Sequence, residues 1–215
     1  VTDIGLGAGT EFLDTTLGQF FADLVSWGAI GARTAESQVH RELASGLSMP
    51  VGIKNRTDGN VQVAVDAILA ARSRHLFPSL SREGAVAISE TTGNPFCHLV
   101  LRGGSESGPN YGTDAIEKAR ALLANANLPP SIMVDCSHGN SEKHPENQAA
   151  VIDSVVAQRR AGDDSICAVM VESHLLGGRQ DLGNSTLTYG QSVTDACLGF
   201  AETTDLLKRM ADGAG

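Results

Sequence analysis

Five residues whose side chains bind anions or metal ions each follow a short apolar run of the kind that forms a buried β-strand. They are Arg33, Lys54, Arg102, His138 and Glu172. Three of them are cations, and Arg and Lys bind phosphate and carboxylate oxygens through charge-assisted hydrogen bonds. Active sites of parallel α/β folds lie at the carboxyl ends of the strands. The sequence therefore predicts a pocket for a small, multiply charged anion, although each cation taken alone also fits an ordinary exposed loop.

A candidate metal site consists of His138, Glu172 and Asp195. Imidazole plus two carboxylates is a ligand set that suits a divalent first-row metal, and three ligands leave room for water, substrate or another protein ligand. The three residues are far apart in sequence, so only the fold can bring them together. The alternative interpretation is a hydrogen-bonded histidine at a strand end and two solvated carboxylates. His98, which lies inside a predicted strand, is expected to be packed in the core.

Short apolar runs alternate with longer segments of helical periodicity, which is typical of repeated strand–helix units. The predicted strands cover residues 27–32, 50–53, 96–101, 131–136 and 166–171. The predicted helices cover residues 34–45, 58–72, 114–126, a segment beginning near Pro145, and 194–210. Thr34 is expected to cap the first helix, and Val61, Val65, Ile68 and Leu69 to form one face of the second. Such a pattern implies a parallel sheet covered on both faces.

The number of units is small for a closed barrel. Five complete units and a partial one ending near Glu11 occupy 215 residues, whereas an eight-stranded (β/α)₈ barrel needs roughly 250. Either the sheet is open, or the first units of a barrel are missing from the chain. Residues 75–93 alternate in polarity and contain turn residues, which predicts an inserted β-hairpin within a single domain of residues 1–215.

Composition excludes several classes of protein. Hydrophobic residues make up 41% and charged residues 19%, which is an ordinary globular balance. No apolar run is long enough to span a membrane, and the first residues lack a secretory signal, so we expect a cytoplasmic protein with no membrane partner. The net charge of -9 opposes nucleic-acid binding. The cysteines form no CxxC pair and are expected to be buried free thiols; they are Cys97, Cys136, Cys167 and Cys197.

Long motifs along the chain carry a family resemblance. They are WGAIGARTAESQVHRELASGLSMPVGIKNRTDG, HLVLRGG, MVDCSHGNS, VMVESHL and SVTDACLGF. Together they resemble class I DAHP synthases (3-deoxy-7-phosphoheptulonate synthases) of the feedback-regulated bacterial subgroup. The resemblance implies a (β/α)₈ TIM barrel, present here as roughly strands 3–8 with the inserted hairpin.

The resemblance also implies a reaction. It would be the first step of the shikimate pathway, the condensation of phosphoenolpyruvate with erythrose 4-phosphate to give 3-deoxy-D-arabino-heptulosonate 7-phosphate and phosphate. C3 of phosphoenolpyruvate would attack an aldehyde polarised by a divalent metal (Mn²⁺, Co²⁺ or Fe²⁺), after which water adds to C2 and phosphate leaves.

The resemblance assigns roles to the residues already named. Arg33, Lys54 and Arg102 would bind phosphoenolpyruvate, and Lys54 is also a candidate for proton transfer. His138, Glu172 and Asp195 would be three of the four metal ligands, with His138 and Lys54 as the catalytic residues. These six positions agree with the interpretation drawn from the residues alone.

Two features of the family are not found in the sequence. They are a cysteine that serves as the fourth metal ligand at the end of the first strand, and a Lys-Pro-Arg-Thr motif after the second. Glu11 matches the end of the family's third strand. We therefore expect that the amino-terminal barrel units are missing and that this polypeptide alone is inactive.

The hairpin resembles an insertion that forms the family's regulatory site and subunit contacts. Gln19, Ser48, Phe77 and Ser79 match positions near an aromatic amino acid effector pocket. Two interpretations stay open: the hairpin helps to bind such an effector, or it only packs against a neighbouring subunit of a homo-oligomer.

Two other functions also stay open. One is the sister synthase that uses arabinose 5-phosphate, which is less favoured because the GARTAES and KNRTDG segments resemble the DAHP group. The other is a noncatalytic partial barrel that acts as a subunit or regulatory partner.

Overall fold

The computed structural model describes residues 1–81, 83–183 and 186–213. The described chain divides into two compact units. The first contains residues 1–100 and 119–131, and the second contains residues 101–118 and those from 132 onwards.

The secondary structure alternates between strands and helices. The strands are β1 Gly9–Glu11, β2 Trp27–Ile30, β3 Val51–Lys54, β4 Leu76–Leu80, β5 Val86–Glu90, β6 Cys97–Leu101, β7 Ile132–Asp135, β8 Ile166–Met170, β9 Leu176–Arg179 and β10 Gln191–Ser192. The α-helices are α1 Gln38–Gly46, α2 Gln62–Ala71, α3 Thr113–Asn125, α4 Gln148–Arg160 and α5 Phe200–Gly213. Short 3₁₀ helices lie at Thr2–Ile4, Gly18–Phe20, Ala22–Leu24 and Pro145–Asn147.

The first unit is built on a parallel sheet with the strand order β1-β2-β3-β6. Ile30 is paired with Ile53 and Ile53 with Leu99, and all three side chains are completely buried. Every residue of β3 and β6 is buried, as expected for parallel strands that are covered on both faces. This burial explains why the strands are short, continuous apolar runs.

The second unit contains the parallel pair β7 and β8. Helices α4 and α5 belong to this unit, and α4 buries Val151, Ile152 and Val155. A smaller parallel pair, β9 and β10, lies in the segment between β8 and α5. The strands thus present their carboxyl ends to loops that begin at residues 136 and 171.

The five strands predicted from apolar runs are confirmed with small shifts at their ends. The partial unit at the start is also confirmed, because β1 ends at Glu11 and pairs with β2. Among the described residues, no helix is both long and apolar enough to cross a bilayer.

The predicted starts of the first and last helices are wrong. Helix α1 begins at Gln38, because the hydroxyl of Thr34 donates to the carbonyl of Gly31 within a turn and does not cap a helix. Helix α5 begins at Phe200, because residues before it use their backbone N–H groups elsewhere: Cys197 donates to Gly178 and Leu198 to Glu172. Asp195 therefore lies in a bend ahead of the helix.

The predicted apolar face of α2 is partly wrong. Val65 and Ile68 are buried, but Leu69 is 40% exposed and Val61 lies just before the helix. The buried face is completed by three alanines, Ala64, Ala67 and Ala71. Small side chains were not counted as core residues in the sequence pattern, although they allow close helix packing.

Strands β4 and β5, Leu76–Leu80 and Val86–Glu90, pair as an antiparallel hairpin. Because side chains alternate across a strand, the hairpin has two different faces. Phe77 and Ser79 lie on one face and are partly buried. Leu76, Val86 and Ile88 are 58%, 87% and 67% exposed, so the hairpin leaves large apolar side chains in contact with solvent.

The cysteine prediction is confirmed for two of the four residues. Cys97 and Cys136 are buried, and loss of solvation raises the pKa of each thiol to about 12. Cys167 is exposed and Cys197 is partly exposed, so the expectation of burial is wrong for these two. All four are free thiols.

His98 is packed in the core, as predicted. The indole N–H of Trp27 donates a hydrogen bond to Nε2 of His98 at 3.2 Å. Burial lowers the pKa of His98 because the charged imidazolium would lose its solvation. The side chain is therefore neutral at neutral pH and accepts the tryptophan hydrogen bond.

Candidate functional site

The loop that follows β7 carries His138 in an unusual backbone conformation. Its φ angle is +55°, in the left-handed region that residues other than glycine adopt only at a cost of roughly 1–3 kcal/mol. Hydrogen bonds hold the loop in place: Ser137 N donates to Asp135 Oδ1 at 3.0 Å, and Asn140 Nδ2 donates to the Asp135 carbonyl at 2.8 Å. The backbone N–H of Gly139 donates to the carbonyl of Arg102 at 3.0 Å.

His138, Glu172 and Asp195 meet in the second unit. His138 Nε2 lies 3.4 Å from Glu172 Oε1 and 3.8 Å from Asp195 Oδ2. One potential ligand atom from each residue lies within 4.8 Å of the other two. The side chains of His138 and Glu172 are about four-fifths buried, whereas that of Asp195 is 64% exposed. The cluster therefore opens to solvent on the side of Asp195.

A fully buried carboxylate lies behind the imidazole. Asp135 Oδ2 is 2.9 Å from His138 Nδ1, and the Asp135 side chain has no exposed surface. The two atoms are close but are not aligned as a hydrogen bond, and among the described residues Nδ1 has no hydrogen-bond partner. A carboxylate at Nδ1 favours a proton on that nitrogen, which leaves the lone pair of Nε2 directed to the cluster.

Glu172 is held at its backbone and at its carboxylate. Gln148 accepts a hydrogen bond from Glu172 N at 2.8 Å and donates one to the Glu172 carbonyl at 3.0 Å. The hydroxyl of Ser137 donates to Glu172 Oε2 at 2.6 Å. Asp195 lies in a bend before α5, and the segment that follows it is anchored where Leu198 N also donates to the Glu172 carbonyl at 3.0 Å.

The three residues fit a divalent cation. Nitrogen and oxygen atoms that bind one first-row ion at about 2.1 Å lie roughly 3–4 Å from one another, and the observed separations agree. An imidazole and two carboxylates are the donor types that Mn²⁺, Fe²⁺ and Co²⁺ accept in proteins. His138, Glu172 and Asp195 could therefore hold such an ion, with further coordination positions left for other ligands.

The three predicted anion-binding cations are distributed over the two units. In the first unit Arg33 follows β2 and Lys54 is the last residue of β3, so both lie at the carboxyl ends of neighbouring parallel strands. Lys54 is buried, with 9% of its surface exposed, and Arg33 is exposed. Arg102 belongs to the second unit, where the hydrogen bond from Gly139 joins its backbone to the loop of His138. In that unit the backbone of Arg102 thus lies beside the loop that carries His138.

The four residues predicted near an effector pocket line one cavity of the first unit. The cavity has a volume of about 620 Å³, and its walls include Gln19, Ser48, Phe77 and Ser79. Phe20, Leu43 and Leu47 add apolar surface, while Ser89 and Thr91 add hydroxyl groups. The amide of Gln19 donates to the carbonyl of Leu80 in the hairpin. The cavity thus joins residues from the 3₁₀ segment, helix α1 and the hairpin.

The sequence analysis did not name three residues that contact His138 or Glu172 of the candidate metal site. Asp135 and Ser137 lie within the MVDCSHGNS segment, and their polar side chains beside His138 at the end of an apolar strand were a usable signal. Gln148 had no such signal, because it contacts Glu172 only through the tertiary fold.

Comparisons with known proteins identify the family of the chain. The profile described as the DAHP synthetase I family matches residues 2–209. The chain is 50% identical over 212 residues to the Trp-sensitive phospho-2-dehydro-3-deoxyheptonate aldolase of Escherichia coli K12, covering 98% of this chain and 60% of that protein. It is 51% identical over 213 residues to the Phe-sensitive enzyme of the same organism, covering 99% of this chain and 60% of that protein.

A solved structure of a relative has the same fold as this chain. The phospho-2-dehydro-3-deoxyheptonate aldolase of Francisella tularensis SCHU S4 matches with a TM-score of 0.94 and 48% identity, covering 99% of this chain and 62% of that one. The prediction of a partial (β/α) barrel is confirmed at the level of fold. The chain spans about three fifths of the length of these relatives. With a matching profile over nearly its whole length, the chain belongs to the DAHP synthetase I family.

Proposed function

We propose that the chain is part of a 3-deoxy-7-phosphoheptulonate synthase, which condenses phosphoenolpyruvate with erythrose 4-phosphate. The observation that carries the proposal is the cluster of His138, Glu172 and Asp195, whose ligand atoms lie within 4.8 Å of one another in a member of this family. A divalent cation held there supplies Lewis acidity toward a carbonyl oxygen. The names of the relatives support the same reaction class.

The cations are proposed to bind the acidic substrate. Arg33 and Arg102 follow parallel strands and Lys54 ends one, and the charges of all three suit the phosphate and carboxylate groups of phosphoenolpyruvate. Lys54 is buried, and an ammonium group in that setting is suited both to binding an anion and to moving a proton. We propose Lys54 and His138 as the catalytic residues, with His138 acting as a metal ligand through Nε2.

The reaction is tested with the full-length product of the gene. Phosphate release from phosphoenolpyruvate and erythrose 4-phosphate is expected to require Mn²⁺ and to stop when a chelator is added. Lys54→Met should lower kcat/KM for phosphoenolpyruvate roughly 10- to 100-fold, because a hydrogen bond from a charged group contributes about 1.5–3 kcal/mol. Lys118→Met, which changes an exposed lysine, is the matched control.

Three results would contradict this proposal. Phosphate release that persists in chelator would argue against the metal site, and equal kcat/KM for Lys54→Met and the parent would argue against the role of Lys54. Faster turnover of arabinose 5-phosphate than of erythrose 4-phosphate would favour the sister synthase.

We propose that the cavity beside the hairpin binds an aromatic amino acid. The relatives named above are Trp-sensitive and Phe-sensitive, and the cavity combines an aromatic ring, Phe77, with the hydroxyl groups of Ser48 and Ser79. A ligand site of this kind is typically a concave surface of apolar side chains with a few polar groups. Which of Phe, Tyr or Trp binds is left to experiment.

Ser79→Trp is expected to fill the cavity and abolish effector binding. Each of the three aromatic amino acids is added to the protein, and the effector should raise the melting temperature, because a ligand at 100 times its Kd stabilises the folded state by about 2.7 kcal/mol. Ala85→Trp is the control, since Ala85 is an exposed residue next to the hairpin strands and does not line the cavity. An equal shift in Ser79→Trp and the parent, or no shift with any of the three, would contradict the proposal.

The two interpretations of the hairpin are compatible with each other. Phe77 and Ser79 line the cavity, whereas the exposed apolar side chains of Leu76, Val86 and Ile88 are available for another surface. We propose that this second set supports a contact between subunits of a homo-oligomer, because exposed apolar clusters often mark interfaces.

A further inference from the structure

The two carboxylate oxygens of Glu172 have different partners. Oε1 lies 3.4 Å from His138 Nε2 and belongs to the metal cluster. Oε2 accepts a hydrogen bond from the hydroxyl of Ser137 at 2.6 Å. Ser137 is only 4% exposed, so water has little access with which to compete for this bond. Oε2 is thus hydrogen-bonded to Ser137, while Oε1 lies beside His138 in the cluster.

The backbone of Glu172 is fixed by a second buried side chain. Gln148, which has no exposed surface, accepts from the Glu172 N–H at 2.8 Å and donates to the Glu172 carbonyl at 3.0 Å. The backbone N–H of Leu198 donates to the same carbonyl at 3.0 Å, so the backbone of Glu172, two residues beyond the end of β8, is held by both contacts. With both the backbone and one carboxylate oxygen held, rotation of the carboxylate would require breaking a buried hydrogen bond.

The number of oxygens that a carboxylate offers affects which cation it binds. Ca²⁺ takes 6–8 oxygen ligands at about 2.3–2.6 Å and often uses both oxygens of a carboxylate. First-row divalent ions accept fewer ligands and combine imidazole with single carboxylate oxygens. A glutamate restricted to one oxygen beside a histidine therefore favours the smaller ions.

We infer that Ser137 and Gln148 are positioning residues that restrict Glu172 to one ligand oxygen and make the cluster select a first-row cation over Ca²⁺. The inference rests on the proposed metal site, but it concerns residues that do not touch the cation. Partners of metal ligands typically change metal affinity by 10- to 100-fold when they are replaced.

The test measures the binding of Mn²⁺ and of Ca²⁺ to the full protein by titration calorimetry. Ser137→Ala is expected to weaken Mn²⁺ binding by roughly 10-fold or more and to reduce the preference for Mn²⁺ over Ca²⁺, because Oε2 becomes available as a second ligand oxygen. Ser137→Thr, which retains the hydroxyl, should keep the parent's preference for Mn²⁺ over Ca²⁺. Ser165→Ala is the matched control, since Ser165 is also buried and donates to a carboxylate, Asp163 Oδ1 at 2.5 Å, outside the cluster.

A second pair of variants removes the dependence on one substitution. Gln148→Leu should weaken Mn²⁺ binding, and Gln158→Leu is the control that should not. Gln158 lies on the same helix and is also buried, and it donates to the backbone carbonyl of Tyr111 at 2.9 Å. Circular dichroism without metal checks the fold of each variant. The ratio of the two dissociation constants within one variant is not affected by a fraction of unfolded protein.

The outcomes separate this inference from the proposed metal site. If Glu172→Ala loses Mn²⁺ binding but Ser137→Ala and Gln148→Leu keep both the affinity and the ion preference of the parent, the positioning role is wrong and the metal site stands. If the parent binds no Mn²⁺, or Glu172→Ala binds it equally well, the metal site is wrong and the inference falls with it.

Discussion

Glu172→Ala is expected to weaken Mn²⁺ binding by roughly 100-fold or more, because the loss of a direct ligand should exceed the 10- to 100-fold effect of losing a ligand's partner. The substitution removes Oε1, which lies 3.4 Å from His138 Nε2. Excess Mn²⁺ should raise the melting temperature of the parent but not that of the variant, since only a bound ion stabilises the folded state. Calorimetry and thermal unfolding with and without Mn²⁺ measure the two effects.

Glu146→Ala is the control for this experiment. Glu146 is an exposed carboxylate of the same unit, its only described ion pair is with His144, and it lies outside the cluster. The Glu146→Ala variant should bind Mn²⁺ with the affinity of the parent. Comparable losses of affinity in both variants would indicate that Mn²⁺ responds to the overall negative charge of the protein, and would contradict a specific site at Glu172.

Gly103→Ala is expected to destabilise the protein by about 2–6 kcal/mol. Gly103 has a φ angle of +70°, and a Cβ atom placed on it would lie 2.4 Å from the carbonyl carbon of Gly139 and 2.6 Å from Asn140 N. The backbone conformation contributes roughly 1–3 kcal/mol of this loss and the steric overlap a further 1–3 kcal/mol. Because Gly139 follows His138, a shift of this loop should also weaken Mn²⁺ binding. Urea unfolding and calorimetry provide the measurements.

Gly108→Ala is the matched control. Gly108 lies in the same loop with a φ angle of +72°, but no atom lies within 4 Å of the position its Cβ would occupy. It should therefore show only the backbone part of the loss, about 1–3 kcal/mol, and no change in Mn²⁺ affinity. If the two variants lose equal stability, the close approach of the two loops does not constrain the protein.

Local sequence patterns predicted most of the secondary structure and failed at particular helix ends. The parallel strands were found because their residues are buried on both faces and therefore form continuous apolar runs. The start of α5 was placed too early, because residues 191–198 use their backbone hydrogen bonds in β10 and in contacts with Gly178 and Glu172. Distant partners of this kind leave no periodic signal in the sequence.

The candidate site was predicted in part by the position of residues along the chain. His138 and Glu172 could be named because each follows a strand, and Asp195 because, near the start of the last predicted helix, it completes a set of one imidazole and two carboxylates. Their assembly into a cluster with separations of 3.4 and 3.8 Å depends on the order and direction of the strands. The four residues predicted near an effector pocket were named from a family resemblance, and the tertiary structure brings their elements together around one cavity.

The sequence by itself determined which segments form strands and which reactive side chains follow them, because burial and local hydrogen bonding depend on neighbouring residues. Only the tertiary structure decided which atoms face one another. It placed Asp135 behind His138, the hydroxyl of Ser137 on one oxygen of Glu172, and Gln148 across the Glu172 backbone. The physical reason is that two of these three contacts join separate elements, and all three depend on distances of about 3 Å that no residue pattern specifies.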